Sequence, residues 1–350
     1  MFGSLRFLLA YLVILSHLVG TEYVAHFGFY AVRGFFVISG LMMTAALNEV
    51  YCFDGLRFWA NRALRLLPPY YFVCGLTLIA VGLAPAQAAG FLKFWRGPPS
   101  VADLLANLSV LPLQLTYASF RLVPPYWSVA IEIDMYLLLF LVASRRMAWA
   151  AVAMVAGATF QLVGLYDGMN WDLEYFTAPA AAFPFAVGAV LYFLRRHNLW
   201  TATPRITATA FVAWVGNLLA GGMLVPSSYV FGAGYFLDTI CFAIVVSGLS
   251  ALPKQGFGPT VQRIDRMLGE WSYFAFLGHW LCGFLVISAF SNIERRGWLL
   301  LLVVTPVVLA ACAGFAALNR KCLEPLRDRV RGGSPRVPQV PGILAGQIPR

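Results

Sequence analysis

Six ionisable residues stand inside long apolar stretches of this 350-residue chain: His17, Arg33, Glu132, Asp134, Asp238 and His279. Burying such a group in a bilayer costs ~2.5–3.5 kcal/mol on insertion scales, so each is a candidate for function. A neutral imidazole beside a carboxylate gains basicity and suits a general base near neutral pH, which nominates His17 with Glu132. Arg6 precedes His17 by eleven residues, three helical turns plus ~20°. The two therefore share one helix face, ~16 Å apart along the axis. Arg6 then lies at the cytoplasmic interface and His17 at or beyond the midplane. An interface anchor explains Arg6 as well as chemistry does.

His279 lies as deep in the ninth apolar run as His17 does in the first, ~16 Å from the cytoplasmic side. Two histidines at one level in different spans are a more specific signal for a site than either alone, and they equally fit a proton relay in a transporter. Arg33 sits at a depth comparable to Glu132, which is ~9 Å inside the outer surface. An ion pair between Arg33 and a carboxylate of the fourth run would neutralise both charges, and removing one partner would be strongly destabilising. Asp238 has no assigned role. Arg62 and Arg65, spaced i, i+3, share a helix face, and two forked guanidinium groups match phosphate geometry. Lipid headgroups would satisfy the same pair.

Transmembrane helices must position these residues. The chain is 60% hydrophobic and 11% charged, against ~45–50% and ~25% in soluble domains. About ten runs are long enough to span a bilayer, near 5–22, 29–47, 67–84, 126–143, 147–165, 176–194, 206–224, 232–251, 268–290 and 297–317. The expected fold is all-α, polytopic, with N- and C-termini inside. Basic residues cluster in loops on one side, among them Arg57, Arg62, Arg65, Arg145, Arg146, Arg195 and Arg196, whereas the other side holds Lys93, Arg96, Arg121, Arg295 and Arg296. The same rule accounts for the net charge of +10 without invoking nucleic acid. The first run resembles a signal peptide but lacks a small-residue cleavage site, so it is read as a retained span.

Residues 48–66 read as a cytoplasmic loop whose helix ends at Pro68 and Pro69. Residues 85–125 form a long outer segment that could cap a site. Residues 1–331 make one membrane-embedded domain, and the Pro/Gly-rich 332–350 reads as a disordered cytoplasmic tail. The six cysteines contain no CxxC pair, which argues for buried thiols and against a metal site.

In order along the chain, these residues resemble the acyltransferase 3 family of bacterial membrane O-acyltransferases. Arg6, ten residues and His17 resemble its first-helix Arg-X10-His motif, and Gly34-Phe35-Phe36-Val37-Ile38-Ser39-Gly40 its second-helix signature. Arg62-Ala63-Leu64-Arg65-Leu66 with Pro68 and Tyr70 resembles the RxxR motif, and Trp127-Ser128 with Glu132 and Tyr136 the W-S-L-x-x-E-x-x-F-Y stretch. Ser272-Tyr273 with Leu277 and His279-Trp280 resembles the late S-Y-x-L-Y-L-x-H-W segment, and Glu324-Pro325 the ending after the last span. Arg33 departs from a position that is often acidic, and Ile133 stands where a second acid is usual, with Asp134 one further on. Some relatives carry a fused SGNH hydrolase-like domain, for which the tail here is too short.

The resemblance implies transfer of an acyl group, commonly acetyl, from cytoplasmic acyl-CoA to a hydroxyl of a cell-envelope or secreted glycan or a lipid-linked saccharide, in the bacterial inner membrane. It implies catalytic roles for His17, Glu132 and His279, donor binding by Arg62, Arg65 and Arg6, and substrate contacts by Trp127, Ser128 and Arg33, with no metal. His17 could act as general base or accept the acyl group itself. A transporter with a His/Asp relay, or a membrane sensor without turnover, remains the competing class.

Overall fold

The computed structural model describes residues 2–113, 119–169, 171–221, 224–225, 227–252, 257–290 and 292–331. The expected tail, 332–350, lies outside the described residues. Among them there is no strand, and the apolar runs are helices. In chain order these are α1 (Phe2–Val19), α2 (Glu22–Glu49), α3 (Gly55–Leu83), α4 (Pro85–Phe91), α5 (Val101–Ser109), α6 (Trp127–Leu138), α7 (Met147–Asp167), α8 (Trp171–Tyr175), α9 (Ala178–Arg196), α10 (Pro204–Ala220), α11 (Ser227–Phe231), α12 (Ala233–Ala251), α13 (Pro259–Ala289), α14 (Trp298–Cys322) and α15 (Glu324–Arg331). A π-helical turn, Leu139–Ala143, extends α6. Nine helical stretches among the described residues are long and apolar enough to cross a membrane. The expected tenth is α10, which has 17 residues. Large apolar side chains such as Ile79, Val155 and Leu302 are exposed on the outside of the bundle, where a soluble protein would carry charge and a multi-pass membrane protein meets lipid.

α1 is the central element, packed between α2 and α13. The Gly3 amide donates to the Asp265 carboxylate, and His17 meets His279; both pairs are 262 residues apart in sequence. α1 and α13 therefore run parallel without slippage over ~21 Å. Glycine permits this approach at the inner end, where a Cβ on Gly3 would strike the Asp265 carbonyl. A second close contact joins α2 to α9: a Cβ on Gly188 would collide with backbone atoms of Val37 and Leu41, and one on Gly40 with the Phe185 carbonyl. Gly188→Val should therefore cost ~1–3 kcal/mol through overpacking. The measurement is the thermal midpoint of the detergent-purified protein; an unchanged midpoint would mean the two helices do not touch there.

The sequence expectation for 48–66 is corrected. α3 does not end at Pro68 and Pro69 but runs through both. The prolines remove two helix donors, and neighbouring groups steady the opened turn. The Leu66 carbonyl accepts from the Tyr273 hydroxyl at 2.9 Å and the Tyr126 hydroxyl at 3.3 Å, while Tyr70 stacks on Tyr126 with centroids 3.6 Å apart. As a result Arg62 and Arg65 stand within a long span, not on a surface helix. Asp54 starts that span, accepting from the Arg57 amide.

The outer segment between α3 and α6 is tightly built. Ser100 and Asp103 form a capping box on α5, and the Asp103 carboxylate also accepts from the Phe120 amide and the Ser119 hydroxyl. The Asn107 side chain donates to the Phe120 carbonyl and accepts from the Leu122 amide. Burial pushes the Asp103 carboxyl up, but the hydrogen bonds from Phe120, Ser100 and Ser119 outweigh it and hold the group below its ordinary value. A carboxyl depressed in the folded state contributes stability that is present above its unfolded value, ~4, and lost as the pH falls through its folded one. Asp103→Asn should mimic the acid state at neutral pH and speed proteolytic cutting between α5 and α6. Equal cutting of variant and wild type would show that the carboxylate does not hold this segment.

Candidate active site

Helices α1, α2, α3, α6 and α13 surround one cavity of about 810 Å³ of empty space, part of it open to solvent. Its polar wall holds Arg6, Ser39, Arg62, Arg65, Ser128 and Glu132, and its apolar wall includes Phe35, Met42 and Phe276. Arg62 is buried at 6% exposure. Its guanidinium donates to the Asn61 side-chain oxygen at 3.1 Å and to the Met43 sulfur at 3.3 Å. Its Nε–H is buried without a partner among the described residues. The Arg6 charge interacts with Arg65, Arg62, Glu132 and Tyr136. Three arginines against one carboxylate leave the cavity cationic, and the orphaned donor on Arg62 is a place for an anionic oxygen. Arg6, which an interface anchor would explain, is part of this wall.

Glu132 accepts from the Ser39 hydroxyl at 2.7 Å and from the Tyr136 hydroxyl. This corrects the pairing of Glu132 with His17. The partner of His17 is His279: its Nδ1 lies 2.9 Å from His279 Nε2, with the rings stacked at 5.2 Å. The chain of hydrogen bonds fixes the tautomers. The Phe276 carbonyl, 2.9 Å from His279 Nδ1, can only accept, so His279 carries its proton on Nδ1. Its Nε2 must then accept, and His17 must donate from Nδ1. In the neutral pair His17 is left with a bare lone pair on Nε2, the atom a base or nucleophile needs. His279 is wholly buried, whereas His17 is only partly so. The pair thus has a buried orienting end and an accessible reactive end.

His17 lies in the last turn of α1, two residues before the helix ends, which agrees with a place beyond the middle of the span. The loop between α13 and α14 closes over it: Arg296 donates to the His17 carbonyl at 2.6 Å, and the Gly297 amide to the Leu18 carbonyl at 2.9 Å. A cation there satisfies the open carbonyls of the helix C-terminus and complements its dipole. The Arg296 guanidinium also lies 4.8 Å from the Trp280 ring centroid, and Phe91, from the outer segment, meets Trp280 edge-on at 5.6 Å. Within the outer segment, Phe91 therefore packs against this end of the site. Sequence reading missed Arg296, although a pair of arginines in a short outer loop runs against the charge rule and marks an exception.

His17 and His279 do not line the cationic cavity. Phe35 and Phe276, with centroids 6.0 Å apart, belong to its lining, and Phe276 is three residues, about one helical turn, before His279. α1 links the two parts, carrying Arg6 into the cavity and His17 to the histidine pair ~16 Å further on.

Two substrate candidates fall elsewhere. Arg33 was expected to pair with a fourth-span carboxylate; instead it donates to Thr239 at 2.7 Å and Gln161 at 3.0 Å, lies 3.4 Å from the Tyr235 ring centroid, and interacts with the charge of Asp238. Asp238 in turn accepts from the Trp214 indole at 2.7 Å. The reason is angular. Arg33 is six residues from Ser39, the Glu132 partner, so the two face ~120° apart on α2, and Arg33 turns toward α7 and α12. Trp127 packs on Phe176 and Tyr175, at 4.4 and 5.0 Å, outside the cavity wall, whereas its neighbour Ser128 lines it.

A family model described as an acyltransferase domain, that of acyltransferase 3, matches residues 3–317. The chain is similar to a Komagataeibacter xylinus protein that carries the provisional name membrane-bound transacylase BcsY, at 25% identity over 341 residues, 91% of this chain and 83% of the relative. No solved structure matches it. The match takes in both the arginine cavity and the histidine pair, and it decides between enzyme and transporter: the chain belongs to the acyltransferase 3 family and is a multi-pass membrane O-acyltransferase.

Proposed function

We propose that this protein moves an acetyl group from cytoplasmic acetyl-CoA to a hydroxyl of a cell-envelope or secreted glycan across a bacterial inner membrane. The observation that carries this reading is the two-part site on α1. A cationic cavity with an orphaned guanidinium donor suits the phosphates of CoA, and a histidine with a free Nε2 lies ~16 Å further along the same helix. An extended pantetheine arm would cross that interval, passing the Phe35–Phe276 contact to bring its thioester to His17. The excess of basic residues in the loops on that side supports a cytoplasmic opening for the cavity, where acyl-CoA is found.

In the transfer, the acceptor hydroxyl gives its proton to His17 Nε2 as its oxygen attacks the thioester carbonyl carbon. The carbon–oxygen bond forms, the carbon–sulfur bond breaks, and the leaving thiolate takes the proton from the imidazolium. His279 keeps the ring aligned and shares the transient positive charge through its bond to His17 Nδ1. Glu132, tied to Ser39 and Tyr136, counters the arginines and holds their geometry.

The test is turnover by the purified protein in lipid nanodiscs with acetyl-CoA labelled in the acyl group and fractionated envelope glycans. The expected result is label on a glycan with release of free CoA. Failure to bind or consume any acyl-CoA would overturn the reading.

A further inference from the structure

Trp280 is an unused donor beside the reactive histidine. Its side chain is buried at 5% exposure, and its indole Nε1–H is fully buried with no hydrogen-bond partner among the described residues. A buried N–H without a partner is uncommon, and costlier still where lipid surrounds the protein and water is scarce. An indole can only donate, so the vacancy is for an acceptor atom. The ring lies against His17, with centroids 5.2 Å apart and planes 31° apart, and against His279 at 5.8 Å. Its other ring contacts among the described residues are apolar or cationic: Phe91 edge-on, and the Arg296 guanidinium over its face. None of these can accept the proton. The indole is thus fixed by packing on several sides while its one polar group is buried without a partner among the described residues.

Acyl transfer creates an acceptor at this place. When the hydroxyl oxygen attacks, the carbonyl π electrons move onto the carbonyl oxygen, which becomes an oxyanion; when the carbon–sulfur bond breaks, those electrons return to re-form the carbonyl. The same oxyanion forms if His17 itself is the attacking group. We propose that the Trp280 Nε1–H is a catalytic donor to this oxygen, making the indole one arm of an oxyanion hole beside His17. The proposal rests on the acyl-transfer reading of the histidine pair. A donor held rigid by its surroundings needs no reorganisation as charge develops, and removing one such donor lowers kcat by ~10²–10³-fold in other acyl-transfer enzymes.

The test is Trp280→Phe, which removes the N–H and keeps an aromatic ring against His17. Wild-type protein must first consume labelled acetyl-CoA; if it does not, the acyl-transfer reading fails before this one is reached. With turnover established, the variant should lose ~10²-fold in kcat with little change in KM for acetyl-CoA and in direct acetyl-CoA binding. Unchanged kcat overturns the assignment, and so does a joint loss of binding and turnover, which a packing role would give. Should the variant fail to fold, the wild-type indole N–H vibration, read by ultraviolet resonance Raman difference with and without a non-hydrolysable acetyl-CoA analogue, decides it. A shift toward a hydrogen-bonded indole is expected, and no shift overturns the proposal.

Discussion

His17→Ala should abolish acyl transfer, with a loss of ~10²–10⁴-fold or more in kcat, while the protein remains inserted and folded. The side chain is only partly buried, and among the described residues its one side-chain hydrogen bond is to His279, so alanine removes a reactive imidazole without opening a large cavity. The backbone contacts that hold the end of α1, from Arg296 and Gly297 to the carbonyls of His17 and Leu18, survive the change. The assay is single-turnover transfer from labelled acetyl-CoA, with elution volume and thermal midpoint as folding controls. Near wild-type transfer by the variant would remove His17 from the chemistry. His279→Ala provides the contrast. It deletes the group that fixes the His17 tautomer, so it should reduce kcat strongly yet leave residual transfer, because the lone pair on His17 Nε2 then exists in only one of two tautomers.

Arg62→Ala combined with Arg65→Ala should weaken acetyl-CoA binding by two orders of magnitude or more. A hydrogen bond to a charged group contributes ~1.5–3 kcal/mol, and two forked groups facing phosphate oxygens would each lose at least one. Equilibrium dialysis with labelled acetyl-CoA measures this directly, and unchanged affinity would remove the pair from donor binding. Arg62→Lys separates charge from shape: lysine keeps the cation but not the planar fork that reaches Asn61 and Met43, so it should bind more weakly than wild type. Because Arg62 is buried, the thermal midpoint must accompany each binding measurement. The affinity loss should shrink as salt is raised, since part of the attraction is long-range and screened.

Much of this site is legible in the residues alone, because a bilayer makes polar side chains costly and therefore conspicuous. The apolar runs announce the helices, and the Arg6–His17 spacing announces a shared face. The match in depth between His17 and His279 appears as a direct contact, since α1 and α13 run parallel in register. What the residues do not announce is direction around each helix and where each helix truly stops. Pro68 and Pro69 look like an end to α3, and only the tyrosines of distant helices, Tyr126 and Tyr273, explain why the span continues. Glu132 could sit beside His17 or Arg33 on depth alone. The turn of α2 decides, giving Ser39 to Glu132 and Arg33 to Thr239 and Gln161.

The sequence by itself therefore determined that this is an all-helical membrane protein whose chemistry rests on a few arginines and histidines, because periodicity and the cost of buried charge are local properties. Only the tertiary structure decided their grouping: three arginines and a carboxylate around one cavity, two histidines sharing a proton at the outer end of α1, and an indole N–H left open beside them. Those groupings depend on which face of one helix meets which face of another, and that is set by contacts between residues far apart in sequence, such as His17 and His279, 262 positions apart.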